Sequence, residues 1–265
     1  MAVTRHDSRA LLLARTNHAA LMALLGTFGL VLASTPAVAF PPYRTTDADT
    51  AGARMLELRF GLLKLQRRDS ESARSAPLSR INFGVGRHFE VISELEYAID
   101  DQRIAEGALG FKWANLTAGR GVGVETLILL PVHSELSGTG IESQYLRTWH
   151  HERWQLHVNA GGFYDPRSAT TERGWRASTL VEFPREQFRP GVELFVKDAR
   201  SASARVQAGV GAIVPLERFE IRTGLHIGLN DAAPDVEASI WFSWKWRLAR
   251  DMQRPPAGTA IRRGD

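Results

Sequence analysis

The sequence predicts an all-β fold: a transmembrane, antiparallel, up-and-down β-barrel of about twelve strands. Three observations carry this. Polar and apolar residues alternate along segment after segment from Ala53 to Trp246. No 3.6-residue period of any length interrupts them. The segments number twelve, an even count, and each has about the length a tilted strand needs to cross a bilayer. A period of two sends successive side chains to opposite faces of a strand. The last segment is the clearest: in DVEASIWFSWKW, Val236, Ala238, Ile240, Phe242, Trp244 and Trp246 alternate with Glu237, Ser239, Trp241, Ser243 and Lys245.

The chain begins with Arg5, Arg9 and Arg15 ahead of an uncharged run, Ala19 to Ala33, and small residues at Ala37-Val38-Ala39. This is the layout of a secretory signal peptide, residues 1–39, cut after Ala39. The run is short for a membrane-spanning anchor. Residues 40–52 (FPPYRTTDADTAG) read as an irregular periplasmic lead-in, 53–246 as the barrel and 247–265 as a basic, proline-containing, disordered tail. The chain has no cysteine, which excludes disulfide staples, thiol catalysis, cysteine-bound metals and a lipid-modified N-terminal cysteine. Removing Arg5, Arg9, Arg15 and Asp7 with the signal peptide lowers the net charge from +4 to +2, too weak a balance for a nucleic-acid partner.

In order, strands are expected near 53–65, 79–86, 89–98, 106–115, 121–132, 142–150, 152–163, 174–184, 189–197, 203–214, 217–229 and 235–246. The alternation is cleanest in 217–229, 203–214 and 89–98, and least clean in 142–150 and 121–132. Connections after odd-numbered strands read as the longer, more polar ones. Gln66–Pro77 (QRRDSESARSAP) is the extreme, whereas Arg87-His88 and His150-His151 read as tight turns. Long loops at one end and short turns at the other suit a barrel that enters an outer membrane from the periplasm.

Lipid is the better neighbour for the apolar face. About eight strands already fill a small barrel's interior with side chains, so twelve apolar rows would overfill it. Turned outward they meet lipid, and closing the ring satisfies every backbone hydrogen bond. Aromatic residues near the strand ends, among them Phe89, Trp113, Trp149, Trp154, Trp175, Phe219, Trp244 and Trp246, suit interfacial girdles. On this assignment Leu225→Arg is costly, while Gly224→Ser on the inner face is tolerated.

The opposite faces then point into the lumen: Glu57, Arg59, Arg80, Glu90, Glu94, Glu96, Lys112, Glu125, Arg176, Glu182, Glu193, Lys197, Arg205, Glu220, Arg222, Glu237 and Lys245. Arg222 or Glu220 is expected to pair with Glu237 or Lys245 across the last two strands. Trp241, Phe195 and His226 offer aromatic contact. Such a network either braces the barrel or lines a narrow polar passage whose charges select the solute.

Two segments resemble a known family. TTDADTAGARMLELRFGL (Thr45–Leu62) resembles the opening, and GLNDAAPDVEASIWFSWKW (Gly228–Trp246) the end, of a family of outer-membrane transporter barrels named for the meta-pathway of phenol degradation. The resemblance implies inward passage of small hydrophobic or aromatic molecules. The last strand also resembles the signal read by the barrel-assembly machinery, with Ser239, Trp244 and Trp246 at matching places and Trp241 where glycine is usual. The tail beyond Trp246 departs from the family's ending.

Signals for catalysis, metal or cofactor are weak. His157 and His226 face inward with no serine two places away, as lipase barrels would have, and adjacent His133 and Ser134 diverge. His150-His151-Glu152 reads as a solvated corner, and Gly119–Gly123 (GRGVG) lacks the Lys and Ser/Thr of a phosphate loop. No enzyme activity, cofactor or metal is expected. A small-molecule channel in the outer membrane is the first expectation, a closed structural or adhesive barrel the second, and a membrane-embedded hydrolase the third.

Overall fold

The computed structural model describes residues 41–67, 70–133, 137–167, 171–200 and 202–248. The expected signal peptide and all but the first two residues of the expected tail lie outside these. Twelve strands follow one another: β1 (Met55–Arg67), β2 (Ser70–Gly84), β3 (Phe89–Ala98), β4 (Arg103–Thr117), β5 (Arg120–Leu129), β6 (Gly140–His150), β7 (Gln155–Asp165), β8 (Glu172–Glu182), β9 (Arg189–Ala199), β10 (Arg205–Pro215), β11 (Glu220–Gly228) and β12 (Val236–Arg247). Each pairs antiparallel with its sequence neighbours, and β1 closes on β12 from Met55↔Arg247 to Gln66↔Val236. The ring has no free edge, so backbone donors and acceptors are met without solvent.

The hairpin β1–β2 corrects the expected loop. Gln66–Pro77, read as the longest connection, is mostly strand: β1 runs on to Arg67 and β2 begins at Ser70. Register shifts between Gly61 and Leu63, between Leu65 and Arg67, and between Ser75 and Leu78 accommodate it. Strand pairing uses the backbone, so a polar sequence with no apolar face can still extend a hairpin once its partner is in register. The longest connection is instead 130–139, between β5 and β6.

The two faces are sharply unlike. An outward row crosses β8 to β12 as Val181, Val192, Val210, Leu225 and Ala238, each opposite the next. Phe60, Leu62, Val91, Leu109, Ile128 and Leu194 are also exposed. Facing inward, Arg59, Lys112, His157, Glu182 and Arg222 are completely buried. Charge inside and hydrocarbon outside inverts a water-soluble protein, for which each exposed apolar Å² would cost about 25 cal/mol. The solvent of the outer wall is lipid. Aromatic residues band that wall near the tight-turn end. Phe89 stacks on Phe111 at 5.5 Å, and Trp244 stacks on Phe219 at 5.7 Å and on Phe242 at 6.3 Å.

Residues 41–51 run inside the barrel. Tyr43, Thr45, Thr46, Asp47 and Ala48 are all buried there. The segment leaves the lumen through a turn with Gly52 at φ +85°, where the Met55 N–H donates to Gly52 O at 3.1 Å. Gly84 lies against this turn, where a Cβ would stand 1.7 Å from Gly52 O, so no larger residue fits. Tyr43 packs with Leu180 of β8 and Ile213 of β10, a small apolar core between lead-in and wall. A second, Ile92, Ala108 and Leu127, fills β3 to β5. These inward apolar residues explain why the alternation of 121–132 is poor.

Candidate functional site

The lead-in divides the lumen. At the tight-turn end the side chains around it are buried, Arg59, Lys112, His157 and Arg222 completely. Glu193 of β9 is its main anchor, accepting from Arg44 N at 3.0 Å, Thr45 N at 2.5 Å and Thr45 Oγ1 at 2.5 Å. His226 Nε2 of β11 lies 2.7 Å from the same carboxylate. Lys112 Nζ donates to Asp47 Oδ1 at 3.0 Å and stands 3.8 Å from Glu90, whose other oxygen accepts from Ala51 N at 2.6 Å. Thr148 Oγ1 accepts from Ala48 N at 2.8 Å. Arg44 pairs with Glu237 of β12. The strands supply charge exactly where the irregular backbone has unmet donors, as a buried segment requires.

Glu57 of β1 is a second centre, accepting from Arg59 at 2.6 Å, Ser243 at 2.9 Å and Arg222 at 3.4 Å, with Lys245 Nζ 3.7 Å away. Arg222 also pairs with Glu220 of its own strand. Of the expected pairings of Arg222 or Glu220 with Glu237 or Lys245, that of Glu220 with Lys245 persists as a charge interaction, while Arg222 goes to Glu57 and Glu220. The register sets Glu237 opposite His226 and Trp241 opposite Arg222, which leaves Glu57 to receive Arg222 and Arg44 to receive Glu237.

His157 has a hydroxyl and a carboxylate at its two ring nitrogens: Thr148 Oγ1 at 3.0 Å and Glu182 Oε2 at 3.2 Å. The trio resembles a nucleophile, base and orienter. All three side chains are completely buried, and the hydroxyl already accepts the Ala48 N–H. Through Thr148 and Ala48 the trio clamps the lead-in to the wall.

Toward the long-loop end the lumen opens into a cavity of about 500 Å³. Its floor is Pro41–Arg44 and Thr46, and its walls include Arg80, Glu94, Arg176, Arg205, Glu237 and Trp241. Of the twenty residues placed on the lumen side from the sequence, ten border the cavity: these six with Glu96, Glu125, Phe195 and Lys197. The other ten, Glu57, Arg59, Glu90, Lys112, Glu182, Glu193, Glu220, Arg222, His226 and Lys245, lie in the half around the lead-in or at its rim. Trp241 lies flat across β1, where a Cβ on Gly61 would fall 2.4 Å from the indole. Leu63, Leu65 and Leu78 continue this panel. Phe195 carries the Arg44 and Arg176 guanidiniums 5.2 and 5.3 Å from its ring centre. Arg80 pairs with Glu94 and, at 2.7 Å, with Glu125; Arg176 pairs with Glu142. Sequence reasoning missed Arg44, Thr45 and Asp47 because the lead-in has no periodicity to orient it. The reversal from polar wall to polar plug leaves no local signal.

No protein-family model matches the chain, and no curated protein matches it. Solved structures do. The NanC porin aligns with a TM-score of 0.55 at 10% identity, covering 73% of this chain and 100% of that one. The KdgM porin aligns at 0.54 and 7%, covering 72% and 98%. An outer membrane channel from Pseudomonas putida F1 aligns at 0.53 and 8%, covering 76% and 97%. At these identities the likeness is one of fold: this chain has the closed barrel found in porin-like outer-membrane channels.

Proposed function

We propose that this chain is a channel of the outer membrane, exported by its N-terminal signal and inserted by the barrel-assembly machinery, that passes small molecules. The observation that carries the proposal is the divided lumen, in which a cavity open toward the long loops rests on a lead-in that is not part of the wall. A solute entering from the loop end, taken as the cell exterior, meets the mixed apolar and charged walls before it meets the lead-in. Passage then requires the lead-in to yield or a gap beside it to widen. Trp241, Phe195, Leu63 and Leu65 support a solute with an apolar or aromatic body. The resemblance of Thr45–Leu62 and Gly228–Trp246 to the phenol meta-pathway barrels points the same way.

A closed structural or adhesive barrel is the second reading, favoured by the complete or near-complete burial of Glu57, Arg222 and Lys112. The hydrolase reading has only the sealed trio of His157, Thr148 and Glu182 to stand on. Conductance across a planar bilayer separates the first two. The full chain is expected to give small, resolvable currents, and a variant lacking 41–51 markedly larger ones. No current from either protein, with both shown to insert, would sink the channel and leave the closed barrel.

A further inference from the structure

The cavity's charged side chains are not evenly mixed. Arg176, Lys197 and Arg205 stand in register on β8, β9 and β10, each directly opposite the next, and all three border the cavity. Like charges set directly across strands disfavour the pairing, so such a row is a cost to the fold. Its neutralisation is incomplete. Among the described residues, Arg176 has Glu142, and Lys197 has Glu172 at 3.8 Å and the Phe163 ring 4.4 Å below its ammonium. Arg205 has no acid within ion-pair distance among the described residues.

The wall across the lumen carries the opposite row. Glu96 of β3 stands in register with Glu106 of β4, and Glu94 lies one turn of the pleat deeper. Glu96 is held by the Ser75 hydroxyl at 2.5 Å, Glu106 by Arg167 at 2.8 Å, and Glu94 by Arg80, which it shares with Glu125. In a ring of twelve strands β3 and β4 are diametric to β9 and β10. Below Arg205 on the same face, Gln207 is buried, borders the cavity and has no partner for its side-chain N–H₂ among the described residues. A buried donor left unmet is costly unless a ligand supplies the acceptor.

From these rows we infer that the cavity binds a solute charged at both ends. Its carboxylate, or an equivalent anion, sits against Arg205, Lys197 and Gln207, and its ammonium sits against Glu96 and Glu94. The apolar stretch between the charges lies over Trp241 and the leucine panel. Rows of opposite sign across a low-dielectric lumen set up a transverse field, which aligns a dipolar solute and admits it with one orientation. This deepens the channel reading by naming the solute class and rests on that reading only for onward passage.

The test is equilibrium binding to the full mature chain in detergent, which needs no conduction. The probes are 6-aminohexanoate, hexanoate and hexylamine, which share a chain and differ in their charged ends, titrated by calorimetry. The amino acid is expected to bind at least about tenfold more tightly than either singly charged probe. Arg205→Gln should abolish its advantage over hexylamine alone, and Glu96→Gln its advantage over hexanoate alone. Heat-modifiable gel mobility checks that both variants remain folded, and the three-probe comparison on the unaltered protein stands without them. Equal binding of the three, no binding of any, or hexanoate binding as tightly as the amino acid would each overturn the inference. Binding as expected with no conductance in either protein would keep the site and discard the passage.

Discussion

The two halves of the lumen spend charge in opposite ways. In the tight-turn half nearly every ionised group has a named partner and almost no contact with solvent: Glu193 serves Arg44, Thr45 and His226, Lys112 serves Asp47, and Glu57 gathers Arg59 and Arg222. In the long-loop half, like charges stand side by side and one guanidinium, Arg205, meets no acid among the described residues. Buried charges are tolerated when paired and hydrogen-bonded, and removing one partner is what costs. The first half is thus built for order and the second for an occupant. The lead-in separates the two, and its own carboxylates and amides complete the ordered half.

The comparison breaks if the packed half tolerates loss of its anchor. Glu193→Leu leaves the Arg44 and Thr45 donors and His226 without their acceptor, and the expected loss is about 3–5 kcal/mol. Denaturant unfolding of the barrel in lipid vesicles measures it, with a rise in conductance as the lead-in loosens. Glu96→Gln in the open half should change stability by less than about 1 kcal/mol, since that side chain is partly solvated. Equal effects at the two positions would mean that the halves do not differ as described.

Both halves must share one outer wall, and that premise can be broken separately. Val210, 48% exposed in the middle of the apolar row, should cost about 2–4 kcal/mol as Val210→Arg if the row lies at mid-bilayer. A negligible change would return the outer wall to water. The companion expectation from the sequence needs correction. Gly224→Ser is not a neutral inner-face control, because a Cβ there would stand 2.5 Å from Pro42 Cβ. It should instead displace the lead-in.

Much of the fold was legible because alternation reports which face a residue takes. The strand Phe89–Ala98 has the bounds its sequence suggests, and the closed twelve-stranded ring follows from the count and the pattern. The lead-in was illegible for a physical reason. Its contacts reach residues about 150 positions away, Thr45 to Glu193 among them, and no local pattern encodes a partner at that distance. The same cause blurred the middle strands. Leu127 and Leu180 point inward against other apolar groups and Leu146 is completely buried, and a strand with hydrocarbon on both faces loses its period. The extension of β2 through SESARSA was hidden for the converse reason, since a polar strand has no contrast to read.

Smaller effects sharpen how the lead-in is held. Thr148→Val removes the acceptor of the Ala48 N–H and a partner of His157 at once, an expected loss of about 1–3 kcal/mol. It should appear as faster hydrogen exchange at Ala48 with the barrel's own unfolding little changed. Asp49 should give the smallest effect and a distinctive one. Burial pushes its carboxyl above the usual range, and the nearby Asp47 charge adds to this, partly offset by the Thr50 N–H and Lys112. A raised carboxyl contributes stability to the docked lead-in below the ordinary carboxylate range, and that contribution is lost as pH rises through the raised value. Ionised Asp49 therefore loosens the lead-in at neutral pH. Protection of the Ala48 amide should be higher in mild acid than at neutral pH, and Asp49→Asn should flatten that dependence while raising the neutral-pH value. A variant with the same pH dependence as the unaltered chain would show that Asp49 does not set the docking equilibrium, and would leave Asp47 with Lys112 as the pair to change next.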